Sequence, residues 1–196
     1  MSAALRAADP AAAIPSCPGW TVRALAAHLT AVHRWAHAAL LSEDPPPYDE
    51  TPIEGDLGAA YERAARALVT ALHEVPPEQP CWTFDRGNRT ASFWRRRQLH
   101  EVAVHRWDVA PYALSDEVAK DGIDEVLDFF LPRQIAGGRT EVPAGTLRLV
   151  DLDEAWAFGE GRPVTTAHGT SSDLLLGLWG RLPLDLGPWG EVRLTP

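Results

Sequence analysis

The chain has 196 residues, of which 45% are hydrophobic and 23% charged, and its formal net charge is -9 at pH 7. This length and composition are typical of a folded protein with one sizeable domain or two small ones. The negative charge argues against binding to duplex nucleic acid, which needs a clustered positive surface. No apolar run approaches the roughly 20 residues of a membrane helix, and Cys17 and Cys81 are too few for a disulfide framework. We therefore expect a cytoplasmic protein whose partners include neither nucleic acid nor a membrane.

Helical periodicity predicts four helices in the first two thirds of the chain. They cover about 21–41, 53–74, 92–112 and 115–134. The proline- or glycine-containing stretches SEDPPP, VPPEQP and AGG end the first, second and fourth of them, and Pro111 marks the end of the third. Four helices of this length suggest a bundle.

The pattern changes to a period of two residues after the turn-rich stretch AGGRTEVPAG. The segments TLRLV, EAWAF and PVTTAH predict short strands, SSDLLLGLWGRL predicts a helix, and EVRLT predicts a last strand. We therefore expect an α+β fold, in which a helical bundle over 1–136 precedes a small α/β region over 141–196.

The third predicted helix carries the sequence QLHEVAVHRWD, which resembles an altered zinc protease motif. That motif, His-Glu-x-x-His, needs two histidines four residues apart, whereas His100 and His105 are five apart and point about 140° away from each other. Glu101 and His105, at i and i+4, are only about 40° apart. The usable pair is therefore Glu-x-x-x-His.

Arg97 and Asp108 fall on the same helical stripe as Glu101 and His105. Four such polar side chains on a buried face are costly unless their charges are compensated. A divalent metal with three imidazole and carboxylate ligands compensates them, and a helical bundle can supply such ligands from facing helices. The alternative is a simple ion pair between Glu101 and His105, which needs no metal.

The third metal ligand must come from another helix, and His28 is the best candidate. His28 falls within the helical periodicity of apolar residues in the first predicted helix. His33 points about 140° away from His28 around that helix, and His37 lies close to its polar end. Cys17 precedes a turn, and we expect it to be structural rather than nucleophilic.

Two long segments, CPGWTVRALAAHLTAVHRWA and WRRRQLHEVAVHRWDVA, resemble the mycothiol-dependent maleylpyruvate isomerase family, a branch of the DinB-like four-helix metalloproteins. The later segment GTSSDLLLGLWGR resembles the small sterol-carrier-like domain that follows the bundle in that family. This resemblance covers nearly the whole chain. It implies a DinB-like four-helix bundle followed by a small α/β domain.

The resemblance also implies a metal and a cosubstrate. The matching positions are His28, Glu101 and His105, which would bind a divalent metal, with Zn²⁺ as the expected ion. Mycothiol would be the thiol cosubstrate, because zinc lowers the pKa of a coordinated thiol and makes a nucleophile at neutral pH. The implied activity is cis-trans isomerisation or S-transfer on a small electrophile, with an anionic one among the candidates.

The candidate catalytic residues are Arg97, Asp108 and Arg181. Arg97 can pair with Glu101 or hold an incoming carboxylate, and Arg181, at the end of the LLLGLWGR helix, is a second candidate for anion recognition. A non-catalytic metal-binding protein with a regulatory or ligand-binding role is the alternative function. A closed site with four protein ligands would favour that alternative.

Overall fold

A computed structural model describes all 196 residues of the chain. The chain divides into two compact units, Met1–Pro111 and Tyr112–Pro196. The fourth predicted helix therefore lies in the second unit, whereas the sequence pattern predicts a division between residues 136 and 141. The N-terminal part is helical and the C-terminal part contains a small sheet, so the predicted α+β class is confirmed. None of the helices combines the length and the apolar character needed to cross a bilayer.

The first unit contains one short and three long helices: α1 (Ser2–Ala7), α2 (Val22–Leu40), α3 (Leu57–Glu74) and α4 (Ala91–Val109). The three long helices match the first three predictions to within a few residues. Thr21 and Asp56 begin α2 and α3, because each side-chain oxygen accepts a hydrogen bond from a backbone N–H three residues on, at 3.3 and 2.9 Å. The helix α3 ends before Pro76, which lacks the N–H that a further helical turn needs.

The buried face of α4 carries three polar side chains among its apolar ones. Leu25 and Leu29 of α2 are fully buried in an apolar core, whereas Arg97, Gln98 and His100 of α4 are buried as well. The helix α4 packs against α2. Polar side chains of α4 therefore enter the interior of the first unit, where burial is favourable only if they find partners.

Five aromatic rings form a cluster in the first unit, which we call the aromatic cluster: Trp35, Trp82, Phe84, Phe93 and Trp94. Neighbouring ring centroids in it lie 4.8 to 6.1 Å apart, within the range of favourable aromatic contacts. Trp35 Nε1 also donates a hydrogen bond to the Pro46 carbonyl at 3.0 Å. The aromatic cluster thereby fixes the proline-rich segment that follows α2.

The second unit combines helices with a three-stranded sheet. The helix α5 (Asp116–Glu125) continues through a π-helical turn (Val126–Phe130) into α6 (Leu131–Ala136), and then come β1 (Gly145–Val150), β2 (Ala155–Glu160), β3 (Val164–His168) and α7 (Ser171–Leu178). The strand order is β2-β1-β3, with β1 antiparallel to β2 and parallel to β3. The first three predicted strands and the helix after them are confirmed.

The last predicted strand, EVRLT, is wrong. A 3-10 helix covers Gly187–Glu191, and the extended residues after it join no sheet. Val192 and Leu194 are buried, at 8% and 6% exposure, and so they produce the alternation that predicted a strand. Their neighbours bond to side chains instead of a strand, since Thr140 Oγ1 accepts from Arg193 N at 3.0 Å. Alternating burial therefore does not require a paired strand.

Candidate metal site

A polar cluster lies in the first unit, where α4 faces α2. His28 Nε2 lies 3.0 Å from Glu101 Oε1, and His105 Nε2 lies 3.5 Å from the same oxygen. The two imidazole rings are 5.6 Å apart between centroids. His28, Glu101 and His105 each offer a potential ligand atom, and these atoms all lie within 4.8 Å of one another. The three predicted ligands thus lie close together, and both histidines approach the same oxygen of Glu101.

The other oxygen of Glu101 pairs with Arg97. Arg97 Nη2 donates to Glu101 Oε2 at 3.0 Å, and the arginine side chain is only 4% exposed. Burial opposes ionisation of Glu101, but its hydrogen bonds with the two histidines and the charge of Arg97 hold its pKa well below the usual range. The sequence allows Arg97 either to pair with Glu101 or to hold an incoming carboxylate. In the structure Arg97 pairs with Glu101.

His105 Nδ1, the ring nitrogen that faces away from Glu101, bonds to Asp108, whose side chain is fully buried. His105 Nδ1 lies 2.8 Å from Asp108 Oδ2, while Ser16 Oγ donates to the other carboxylate oxygen at 2.5 Å. Because a carboxylate only accepts hydrogen bonds, His105 carries a proton on Nδ1. Burial disfavours the imidazolium, but hydrogen bonds, led by the one to Asp108, hold the pKa of His105 well above its ordinary value. Asp108 therefore orients the ring, with Nε2 towards Glu101.

The outer nitrogen of His28 faces two residues that the sequence pattern does not reveal. Tyr48 Oη lies 3.3 Å from His28 Nδ1 and donates a hydrogen bond to Glu50 Oε2 at 2.8 Å. Both residues lie just after the stretch SEDPPP, which ends the first predicted helix. Nothing in their spacing relates them to a histidine twenty or more residues earlier, so only the path of the folded chain shows this contact.

The hydrogen-bond donors and acceptors of the cluster indicate what it can bind. Both histidines have a partner on Nδ1, so a neutral ring presents the lone pair of Nε2 to Glu101. Two lone pairs and a carboxylate oxygen then converge, and they need either protons or a cation between them. Two imidazoles and one carboxylate are the ligand set of many catalytic zinc sites. The residues present therefore fit a divalent metal ion.

A second potential ligand group shares His105 with the first. Cys17, His105 and Asp108 also offer ligand atoms within 4.8 Å of one another. Cys17 Sγ lies 3.8 Å from Asp108 Oδ2 and is half-buried. The cysteine expected to be structural thus lies directly beside the cluster.

An indole ring forms one wall of the cluster. The ring of Trp20 meets that of His28 edge-on, with centroids 4.9 Å apart, and is stacked near His105 at 6.3 Å. In the sequence Trp20 directly precedes the first predicted helix, 21–41, and nothing there relates it to His105. Its contacts restrict the orientations of both imidazoles.

His33, His100 and Arg181 belong to neither potential ligand group. His33 is buried and its Nδ1 is 2.6 Å from Gln98 Oε1. His100 is also buried and is in neither potential ligand group. Arg181 belongs to the second unit, where its Nη1 donates to the Trp179 carbonyl at 2.7 Å.

Comparison with known proteins assigns a family to both parts of the chain. The model "Mycothiol maleylpyruvate isomerase N-terminal domain" matches residues 1–110, and the model "MDMPI C-terminal domain" matches residues 117–196. No curated protein gives a significant match.

Two solved structures resemble the whole chain. One is the crystal structure of the mycothiol-dependent maleylpyruvate isomerase, with 18% identity and a TM-score of 0.69, covering 100% of this chain and 90% of that chain. The other is a histidine-to-alanine mutant of such an isomerase, with 17% identity, a TM-score of 0.70 and the same coverage. At this identity the likeness shows a shared fold.

Proposed function

We propose that this chain, which belongs to the mycothiol maleylpyruvate isomerase family, is an enzyme that binds one divalent metal ion, zinc by preference, through His28, Glu101 and His105. The convergence of two Nε2 atoms on one carboxylate oxygen is the observation that carries the proposal. All three residues lie in the unit Met1–Pro111, within the range that the family's N-terminal domain model matches.

The proposal gives Asp108 and Arg97 the role of positioning residues. Asp108 holds His105 Nδ1 from outside, and Arg97 holds the second oxygen of Glu101. Partners of this kind fix the orientation of a ligand and raise its basicity, and losing one typically costs about 10- to 100-fold in metal affinity. Their buried side chains are expected to act on the ligands rather than on a substrate.

Mycothiol is the proposed thiol cosubstrate. Three protein ligands leave a coordination position open, and a zinc ion bound there lowers the pKa of an incoming thiol, so that a thiolate forms at neutral pH. His28 is the most exposed of the three ligands, with 22% of its side chain accessible against 15% for Glu101 and 12% for His105. A small thiol is therefore expected to approach from the side of His28.

The proposed reaction is cis-trans isomerisation of a small electrophile, with S-transfer as the related possibility. In isomerisation the thiolate adds to an activated double bond, the resulting single bond rotates, and elimination restores the thiol and gives the trans product. In S-transfer the sulfur stays attached to the electrophile. The family match favours isomerisation, and for an anionic substrate Arg181 remains the proposed anion-binding residue.

Metal analysis of the purified full chain tests the metal site. The wild type is expected to carry about one zinc per chain, and His28→Ala and His105→Ala are expected to lose it. His37→Ala is the matched control, since it removes an imidazole from the last turn of the same helix as His28. Full zinc content in both ligand variants would refute the assignment.

Thiol binding separates the enzyme from the non-catalytic alternative. Mycothiol is added to the zinc-loaded wild type, and binding is measured by calorimetry, followed by turnover of maleylpyruvate and of conjugation electrophiles. Thiol binding and thiol-dependent turnover are the expected results. Zinc-loaded protein that shows neither would favour a non-catalytic metal-binding protein.

A further inference from the structure

The segment that connects α2 to α3 is fixed at two points beside the polar cluster. Trp35 Nε1 donates to the Pro46 carbonyl at 3.0 Å, and Arg23 Nη1 donates to the Ile53 carbonyl at 2.7 Å. Hydrogen bonds from side chains to backbone carbonyls hold a connecting segment in one conformation. The stretch between these two anchors is therefore in a defined position against α2.

That stretch places a tyrosine and a glutamate on the outer side of His28. The Tyr48 hydroxyl lies between the other two groups, 3.3 Å from His28 Nδ1 and 2.8 Å from Glu50 Oε2. Glu50 Oε2 itself is 3.6 Å from His28 Nδ1, which is too long for a hydrogen bond. The hydroxyl therefore bridges a gap that the carboxylate does not close by itself.

The direction of these hydrogen bonds follows from the carboxylate. Glu50 can only accept, so the Tyr48 hydroxyl donates its single proton to Glu50. The tyrosine oxygen is then left as an acceptor for His28 Nδ1–H. The nitrogen of a histidine that carries the proton is set by the hydrogen bond it makes, and the other nitrogen is left for a ligand.

We propose that Tyr48 and Glu50 are positioning residues of the metal site, which keep His28 in the tautomer and orientation that present the Nε2 lone pair towards Glu101. This inference rests on the proposed metal binding by His28. It assigns to His28 the kind of support that Asp108 gives His105 directly, at 2.8 Å. For His28 the support comes from a connecting segment and passes through a hydroxyl.

Zinc affinity of the full chain, measured by competition with a chromophoric chelator, provides the first test. Tyr48→Phe removes the hydroxyl but keeps the ring, which packs edge-on against Trp35 with centroids 5.7 Å apart. We expect it to weaken zinc binding about 10- to 100-fold, as for other partners of metal-bound histidines. Tyr61→Phe and Glu54→Gln, which remove a hydroxyl and a charge elsewhere in the first unit, are the matched controls and are expected to bind zinc like the wild type.

A double variant shows whether Glu50 acts on His28 through the Tyr48 hydroxyl, which we call the relay, or whether the two residues affect zinc binding independently. Glu50→Gln is expected to weaken zinc binding less than Tyr48→Phe, because the amide oxygen of glutamine still accepts a hydrogen bond. If Glu50 acts only through the hydroxyl, combining Glu50→Gln with Tyr48→Phe adds nothing to the loss caused by Tyr48→Phe alone. Additive losses would overturn the relay.

The tautomer of His28 is a readout that general loosening of the segment does not change. In the zinc-loaded wild type labelled with ¹⁵N-histidine, we expect an Nδ1–H signal of His28 that is protected from exchange with water. Tyr48→Phe is expected to lose this protection, while its metal-free form keeps the thermal midpoint of the wild type. An unchanged signal, or a loss of affinity explained by a lower midpoint, would overturn the inference.

The same titrations separate this inference from the proposed function. A wild type that binds no zinc would refute the proposed metal site. A wild type that binds zinc tightly, together with a Tyr48→Phe variant of the same affinity, would refute only the role of Tyr48 and Glu50.

Discussion

Glu101→Gln tests the centre of the polar cluster, because this side chain contacts both histidines and Arg97. The substitution keeps the size of the side chain and removes its negative charge. We expect zinc binding to be lost and the metal-free protein to be less stable. The imidazoles can release their protons when the carboxylate is gone, whereas a guanidinium cannot. The loss of stability therefore comes mainly from Arg97, which is left as a buried cation without the Glu101 carboxylate.

The burial of the Arg97–Glu101 pair determines how much stability Glu101→Gln is expected to lose. The side chain of Arg97 is 4% exposed and that of Glu101 15%, so the pair is close to fully buried. Breaking a buried pair by removing one partner typically costs about 3–5 kcal/mol. Because Glu101 retains some contact with solvent, we expect the free energy of unfolding to fall by about 3 kcal/mol, the lower end of that range.

The stability that Glu101→Gln loses depends on pH in a defined way. Although burial opposes ionisation, the two histidines and Arg97 hold the pKa of Glu101 in the folded protein well below its ordinary range. A group with a depressed folded pKa contributes stability above its unfolded pKa, and this stability is lost as the pH falls through the folded pKa. The difference in unfolding free energy between wild type and Glu101→Gln is therefore expected to narrow in acid, and to narrow also as the pH rises through the raised pKa of His105, whose imidazolium pairs with Glu101.

Urea unfolding of the metal-free full chain, followed by helical circular dichroism, measures this difference. Glu62→Gln is the control, since it breaks an exposed pair with Arg6 and Arg66 and is expected to change little. The double variant Arg97→Met with Glu101→Gln is expected to recover part of the stability without recovering zinc binding. If Glu101→Gln unfolds at the same urea concentration as the control, the buried pair with Arg97 does not supply this stability. If Glu101→Gln retains zinc, Glu101 is not a metal ligand.

Asp108→Asn is expected to weaken zinc binding about 10- to 100-fold in chelator competition, because His105 loses the carboxylate that orients it; wild-type affinity would contradict this role. Cys17→Ser is expected to keep the zinc affinity, and X-ray absorption of the zinc-loaded wild type should show only nitrogen and oxygen neighbours before a thiol is added. A sulfur neighbour that Cys17→Ser removes would indicate a closed site and favour the non-catalytic alternative. Arg181→Gln is expected to retain zinc and to raise KM for an anionic substrate about tenfold, equivalent to about 1.4 kcal/mol, and unchanged kinetics would exclude Arg181 from anion recognition.

Elements that bury one continuous face could be predicted from the sequence. The helices α2 and α3 have apolar residues at helical spacing because one side of each packs against the interior, as Leu25 and Leu29 show for α2. The helix α1 has six residues and buries only Leu5, which is too little to produce a period. The segment EVRLT has the alternation of a strand, but the backbone N–H of Arg193 donates to the side chain of Thr140, and this partner lies far away in the sequence.

The same distinction holds for the candidate site. Glu101, His105 and Asp108 lie on one helix, so their common face follows from helix geometry alone. Tyr48 and Glu50 reach His28 only because the segment between α2 and α3 turns back over α2. No local periodicity encodes such a path, so partners that support ligands from connecting segments have to be found in the structure.

The charges around the cluster favour a divalent occupant and imply competition with protons. Three carboxylates, of Glu50, Glu101 and Asp108, lie against the two histidines, and Arg97 adds one fixed positive charge. With both imidazoles neutral, these four groups leave two negative charges, which either a divalent cation or two imidazolium protons balance. Metal binding must then displace protons from the histidines. We expect zinc affinity, measured by chelator competition, to fall from about pH 9 to about pH 6, because the raised pKa of His105 lets protons compete with the metal above the ordinary imidazole range. An affinity that does not change over this range would refute the assignment of the histidines as ligands.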